Sequence, residues 1–142
     1  MKVEKSIHIK CAPEKAFAFA TDFSNASKWM VGFIESKTLT DGATRVGTQY
    51  MFVSKLFGQK MDMKSEVTVW EPPARYEYKT VDAPASMRGG FTFTAQDGGT
   101  LVNVWGEGEF SGIFKLAEGM MKGQMDKQMD ETMNALKKAL EG

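Results

Sequence analysis

Cysteine and histidine occur once each in the 142-residue chain, as Cys11 and His8. A lone cysteine forms no internal disulfide, which suits a reducing, cytoplasmic setting. Two potential soft or imidazole ligands do not make a zinc site, so no resident metal is expected. One histidine also gives little support to a nucleophilic triad. Neither sign of charge is in excess: 18 basic side chains face 18 acidic ones, and the pI is about 6.6. That removes the basic footprint a nucleic-acid partner requires. No apolar run approaches the roughly 18 residues of a membrane span, so no integral membrane association is expected. The opening "MKVEKSIHIKC" alternates instead of presenting a signal peptide's apolar stretch. No Pro- or Gly-rich linker, charge block or internal repeat divides the chain, and its length fits one domain over residues 1–142.

What is present is a sequence of strands bracketed by helices. Val3, Lys5, Ile7 and Ile9 share one side of an alternating first strand, and His8 points to solvent or a strand neighbour. "APEKAFAFATD" predicts a helix with Pro13 in its first turn and with Phe17 and Ala20 on one face. "FSNASKWM" predicts a second short helix, capped by Ser24 or Asn25. From Val31 to Phe110 the pattern is that of strands: "FIESKTL", "GTQYMFVSKLF", "KMDMKSEVTVW", "RYEYKTV", "MRGGFTFTA" and "TLVNVWGEGEF". Asp41-Gly42, Gly58, Pro72-Pro73 and "QDGG" punctuate them. From Gly112 to Leu140 the period becomes helical, with Phe114, Met121, Met125, Met129, Thr132, Leu136 and Leu140 in one stripe. Gly119 and Gly123 weaken this helix, which argues for close packing there or for a first half that bends.

Methionine is abundant: eleven in all, five of them between Met120 and Met133. Its unbranched, polarizable side chain fills irregular space. Copper(I) is the sharp alternative, since thioethers are soft ligands, but no Cys or His accompanies the stripe. A membrane-surface helix would want a basic polar face, whereas residues 111–142 carry five lysines and five acids. An antiparallel sheet has one apolar face to cover, and one helix about 10 Å across cannot fill the trough of a strongly curved seven-stranded sheet. The mismatch predicts a cavity between them.

This order, with "SIHIKCAPEKAFAFATD" at the start and "EVTVWEPPARYEY" in the middle, resembles the START/Bet v 1-like (SRPBCC) superfamily. The likeness is greatest to its small polyketide cyclase/dehydrase and lipid-transport proteins. The "P-E-x-A/V-F" helix, the "VGTQY" strand start and the "EPPARYEY" turn carry the resemblance. It implies an α+β helix-grip fold: a curved seven-stranded antiparallel sheet, two short helices and one long C-terminal helix enclosing a cavity. It further implies a hydrophobic small-molecule ligand, lipid-like, polyketide-like or aromatic, held without a cofactor by a monomer or weak homodimer. Two alternatives stay open: a cyclase/dehydrase-type enzyme using a tyrosine or buried acid, and an interaction module like the superfamily's chaperone co-regulators.

Strand parity places Tyr50 with Phe52, Tyr76 with Tyr78, and Phe91 with Phe93 on the concave face, because Gln49, Glu77 and Thr92 take the other. With Met63 from the sheet and Met121 and Met125 from the helix as lid, these are the candidate ligand contacts. No catalytic pair stands out among the carboxylates. Glu107 and Glu109 share the solvent side of their strand. "VWGEGEFSGIF" superficially suggests a nucleotide loop, but its glutamates would repel a pyrophosphate and no βαβ unit can follow. Its glycines are expected to relieve a bend into the last helix.

Overall fold

The computed structural model describes residues 1–56, 58–81, 86–109 and 113–142, apart from the side chains of Leu56, Ile113 and Phe114. Seven strands make one antiparallel sheet: β1 (Lys2–Ile9), β2 (Phe33–Thr38), β3 (Gln49–Leu56), β4 (Gln59–Glu71), β5 (Arg75–Thr80), β6 (Ser86–Gln96) and β7 (Gly99–Glu109). Their order is β1-β7-β6-β5-β4-β3-β2. The chain therefore leaves one edge after β1, crosses to the other edge, and returns strand by strand until β7 pairs with β1. The crossing consists of α1 (Pro13–Thr21) and a 3-10 helix (Phe23–Lys28). Asp97 and Gly98, with φ of 50° and 75°, supply the two left-handed residues that a tight β6–β7 hairpin needs. Register slips between Phe33 and Glu35 in β2, and between Val67 and Val69 in β4, are bulges, which add bend and twist to the curved sheet.

Local sequence explains most of this, with four corrections. The 3-10 helix is capped by Asp22, not by Ser24 or Asn25: its Oδ1 accepts from the Ser24 amide at 3.0 Å and the Ser24 hydroxyl at 2.6 Å. The C-terminal helix is interrupted at Ala117, giving α2 (Ile113–Leu116) and α3 (Glu118–Glu141). Gly119 and Gly123 lie inside α3 with nothing within 4 Å of an added Cβ, so close packing does not explain them. Gly106 and Gly108 remain paired within β7 and do not bend it away. Phe110 and Gly112 lie outside the described residues.

Helix α3 is held along both long edges. On the β1 side, Lys5 pairs with Asp126 at 3.1 Å, and Lys137 donates to the His8 carbonyl at 2.8 Å. There Glu141 also accepts from the Lys10 amide at 2.9 Å. On the other side Gln128 donates to the Val31 carbonyl at 2.8 Å, and the Val31 amide donates to Thr132 at 3.2 Å. His8 itself bonds the Gln96 carbonyl of the neighbouring hairpin at 2.8 Å. Among the described residues, no helix is long and apolar enough to cross a membrane.

Candidate ligand cavity

Alternation along β3–β6 turns Tyr50, Phe52, Met63, Tyr76, Tyr78 and Phe91 toward α3, and all six line a cavity of about 220 Å³ beneath it. Met125 closes the cavity from above, together with Gln128, Met129, Thr132 and Met133. Seven of the nine sequence-predicted contacts thus meet around one space. Phe93 and Met121 do not reach it. Phe93 packs edge-on to Phe17, ring centroids 5.3 Å apart, in the dry core, while Met121 is buried on α3 away from the cavity wall.

Beside the cavity, two glycines of the sheet make room for wall residues. Tyr78 pairs with Gly89, and Gly89 in turn pairs with Gly106, so two neighbouring floor positions carry no side chain. A Cβ on Gly89 would stand 2.8 Å from the Tyr78 hydroxyl and 2.8 Å from the Trp105 carbonyl. The phenol of Tyr78 therefore leans over a position that only glycine leaves free. Above Gly106 the nearest group to an added Cβ is the Met129 methyl, at 3.8 Å.

All three tyrosines of the chain are on this floor. The Tyr50 and Tyr76 hydroxyls bond each other at 2.7 Å. Burial holds all three hydroxyls above the ordinary phenol range; Tyr78 nearby adds to the rise at Tyr50, where the bond to Tyr76 partly offsets it, and Tyr50 and Tyr78 add to the rise at Tyr76. They stay protonated at neutral pH and act as hydrogen-bond donors and acceptors, not as bases. Ser54, Ser65, Thr80, Gln128 and Thr132 add polarity without charge. No Lys, Arg, His, Asp or Glu lines the cavity among the described residues. Glu107 is on the opposite face, bonded to Arg88 at 2.6 Å, and Glu109 is exposed.

Sequence patterning missed several lining residues. Trp29 and Met30 follow the 3-10 helix and reach the cavity only because the chain crosses the sheet there. Met133 falls outside the predicted stripe, although its i, i+4 spacing from Met129 signals a shared face. Six methionines line the space in all: Met30, Met63, Met87, Met125, Met129 and Met133. Trp29 is 2% exposed, and its Nε1 is buried without a hydrogen-bond partner among the described residues.

No curated relative matches the chain by sequence. Its fold is shared with solved structures of low identity. A Thermus thermophilus protein superposes with TM-score 0.85 at 17% identity, over 99% of this chain and 97% of that one. A START superfamily protein from Mycobacterium smegmatis gives 0.81 at 15%, over 99% and 97%. The Zhui aromatase/cyclase from Streptomyces sp. R1128 gives 0.82 at 14%, over 99% and 93%. These likenesses establish the helix-grip fold. A family model matches residues 1–141, nearly end to end, and the chain belongs to that family: polyketide cyclase / dehydrase and lipid transport.

Proposed function

We propose that the protein binds and carries a hydrophobic small molecule between the sheet and α3. The observation that supports this best is the composition of the cavity wall, in which methionines and aromatic rings enclose a space that the helix bridges without filling. Binding is burial of apolar ligand surface against these walls, with the phenol hydroxyls orienting whatever polar group the ligand carries. The family's own description includes lipid transport. Native mass spectrometry on gently purified protein tests the reading. A copurified small molecule, or one-to-one uptake of an apolar fluorescent probe by the folded chain, is expected. A bare chain that takes up no probe would sink the carrier reading.

One observation favours a second reading, a cyclase/dehydrase-type enzyme. Three clustered phenols in an apolar cavity form a proton-donating surface, and one structural neighbour is an aromatase/cyclase. Their shifts run away from neutrality, however, whereas an acid or base tuned for turnover sits near the working pH. That direction favours holding a ligand over transforming it.

A further inference from the structure

We propose that β2 is the docking edge for a second copy of this chain: two β2 strands pair antiparallel about a twofold axis at Ser36 and join the two sheets into one. The proposal is independent of what the cavity carries.

The sheet ends in two unlike edges, β1 and β2. At β1 the outer backbone meets α3, whose Lys137 donates to the His8 carbonyl at 2.8 Å, while just beyond the strand Glu141 accepts from the Lys10 amide. β2 has no such cover. The Leu39 amide donates to the Gln49 carbonyl at 2.9 Å. Antiparallel alternation from that pair turns the backbone groups of Lys37 and Glu35 toward β3 and those of Ser36 and Thr38 outward. Nothing among the described residues bonds these outward amides and carbonyls. The bulge lies at the start of the strand, between Phe33 and Glu35, so residues 35–38 keep a regular register.

An open edge accepts many strands, and charge selects among them. Glu35 and Lys37 lie opposite Val53 and Met51, on the face away from the cavity, whose wall takes the alternate residues Tyr50, Phe52 and Ser54. Both are exposed, and neither has an ion-pair or hydrogen-bond partner among the described residues. Elsewhere on that face opposite charges meet: Lys2 and Arg88 with Glu107, Lys79 with Glu66, Arg75 with Glu77. Within the chain the cross-strand neighbours of Glu35 and Lys37 are apolar, so a complement can come only from the open side.

A second β2 supplies it. Antiparallel pairing about Ser36 sets each copy's Glu35 directly opposite the partner's Lys37, twice over, and lets the two Ser36 residues exchange amide–carbonyl bonds. A shift of two residues would oppose Glu35 to Glu35 or Lys37 to Lys37, so the charges also specify the register. Apolar surface gathers along the same edge. Of the six large apolar side chains exposed among the described residues, Val31, Ile34, Leu39 and Val46 lie in β2 or the segments flanking it. The register brings Ile34 of one copy beside Leu39 of the other. A six-residue strand buries less than a standard interface, so the dimer is weak and concentration-dependent.

Sedimentation velocity of the full chain, from about 1 to about 500 µM at low salt, should show a monomer–dimer equilibrium. Glu35→Lys and Lys37→Glu should each weaken self-association by at least about tenfold, because each places like charges face to face. An equimolar mixture of the two variants should associate again, since positions 35 and 37 are then both basic in one copy and both acidic in the other. Ser36→Pro deletes an outward amide that the monomer's own sheet does not use, and should abolish the dimer while the urea midpoint stays near the parent's. If the proline variant does not fold, the charge variants decide. A parent that is monomeric throughout overturns the proposal and leaves this edge to a strand of another protein. A dimer that survives both reversals, or a mixture that stays monomeric, overturns it as well.

Discussion

The two halves of α3 face the same sheet and are built from different side chains. Toward the C-terminus, Leu136 and Leu140 are buried against a cluster that includes Ile9, Phe17, Phe93 and Val102. Toward the N-terminus, Met125 and Met129 are half-buried over a floor that includes Tyr78 and Val104. Branched side chains with few rotamers occur where neighbours leave no freedom. The thioethers of Met125 and Met129 occur where space remains, whereas Met121 is buried clear of it. One helix thus serves as a core element at one end and an adaptable lid at the other.

The largest expected effect breaks the packed half. Leu136→Ala should cost about 2–5 kcal/mol of stability, read from urea denaturation, because a fully buried leucine leaves a cavity behind. A loss under about 1 kcal/mol would mean that this end is not the tight one. The opposite half should respond in affinity instead. Met125→Trp should weaken apolar-probe binding more than tenfold, about 1.4 kcal/mol, while the unfolding midpoint barely moves. In a filled core the same enlargement would overpack and cost about 1–3 kcal/mol of stability. A shifted midpoint, with no probe bound by the parent, would erase the contrast between the halves.

The cavity floor has its own signature in pH. Tyr50, Tyr76 and Tyr78 have folded-state pKa values above the unfolded value of about 10. The folded state therefore retains protons that the unfolded state releases. Stability should be fully present below about pH 10 and decline as pH rises beyond it. Tyrosinate absorbance should stay low in the folded protein at a pH where the denatured chain has ionised. Since these are the chain's only tyrosines, an ordinary titration step would show that the floor is open to water. The smallest effect belongs to Gly123. With open space around it, Gly123→Ala should raise stability by about 0.5–1 kcal/mol through helix propensity and leave probe affinity unchanged.

Period carried much of this into view from the sequence. Alternation marked all seven strands to within a few residues, and strand parity identified the concave face, because both follow from local backbone geometry. Position along the trough does not. Phe93 has the parity of Phe91 and ends in the dry core two residues further along β6; Met121 shares a stripe with Met125 and ends clear of the cavity. Parity and helical phase define a face, whereas depth along that face depends on where α3 crosses. Trp29 was out of reach for a related reason, since only the crossing between the sheet edges brings it over Phe91. The paired glycines were visible as residues, but their alignment with Tyr78 required the register of three strands.

Gln128 and Thr132 serve as wall and fastener at once, since both line the cavity and both bond Val31. Swinging α3 away on that edge breaks two neutral hydrogen bonds, each worth about 0.5–1.5 kcal/mol net. On the β1 edge it would break an ion pair and two further charge-assisted bonds. The helix is therefore fastened by charge along β1 and, on the opposite edge, by neutral bonds to the backbone of a single residue, Val31. The same two side chains thus shape the cavity wall and set how firmly that edge of the helix is tied to the sheet crossing.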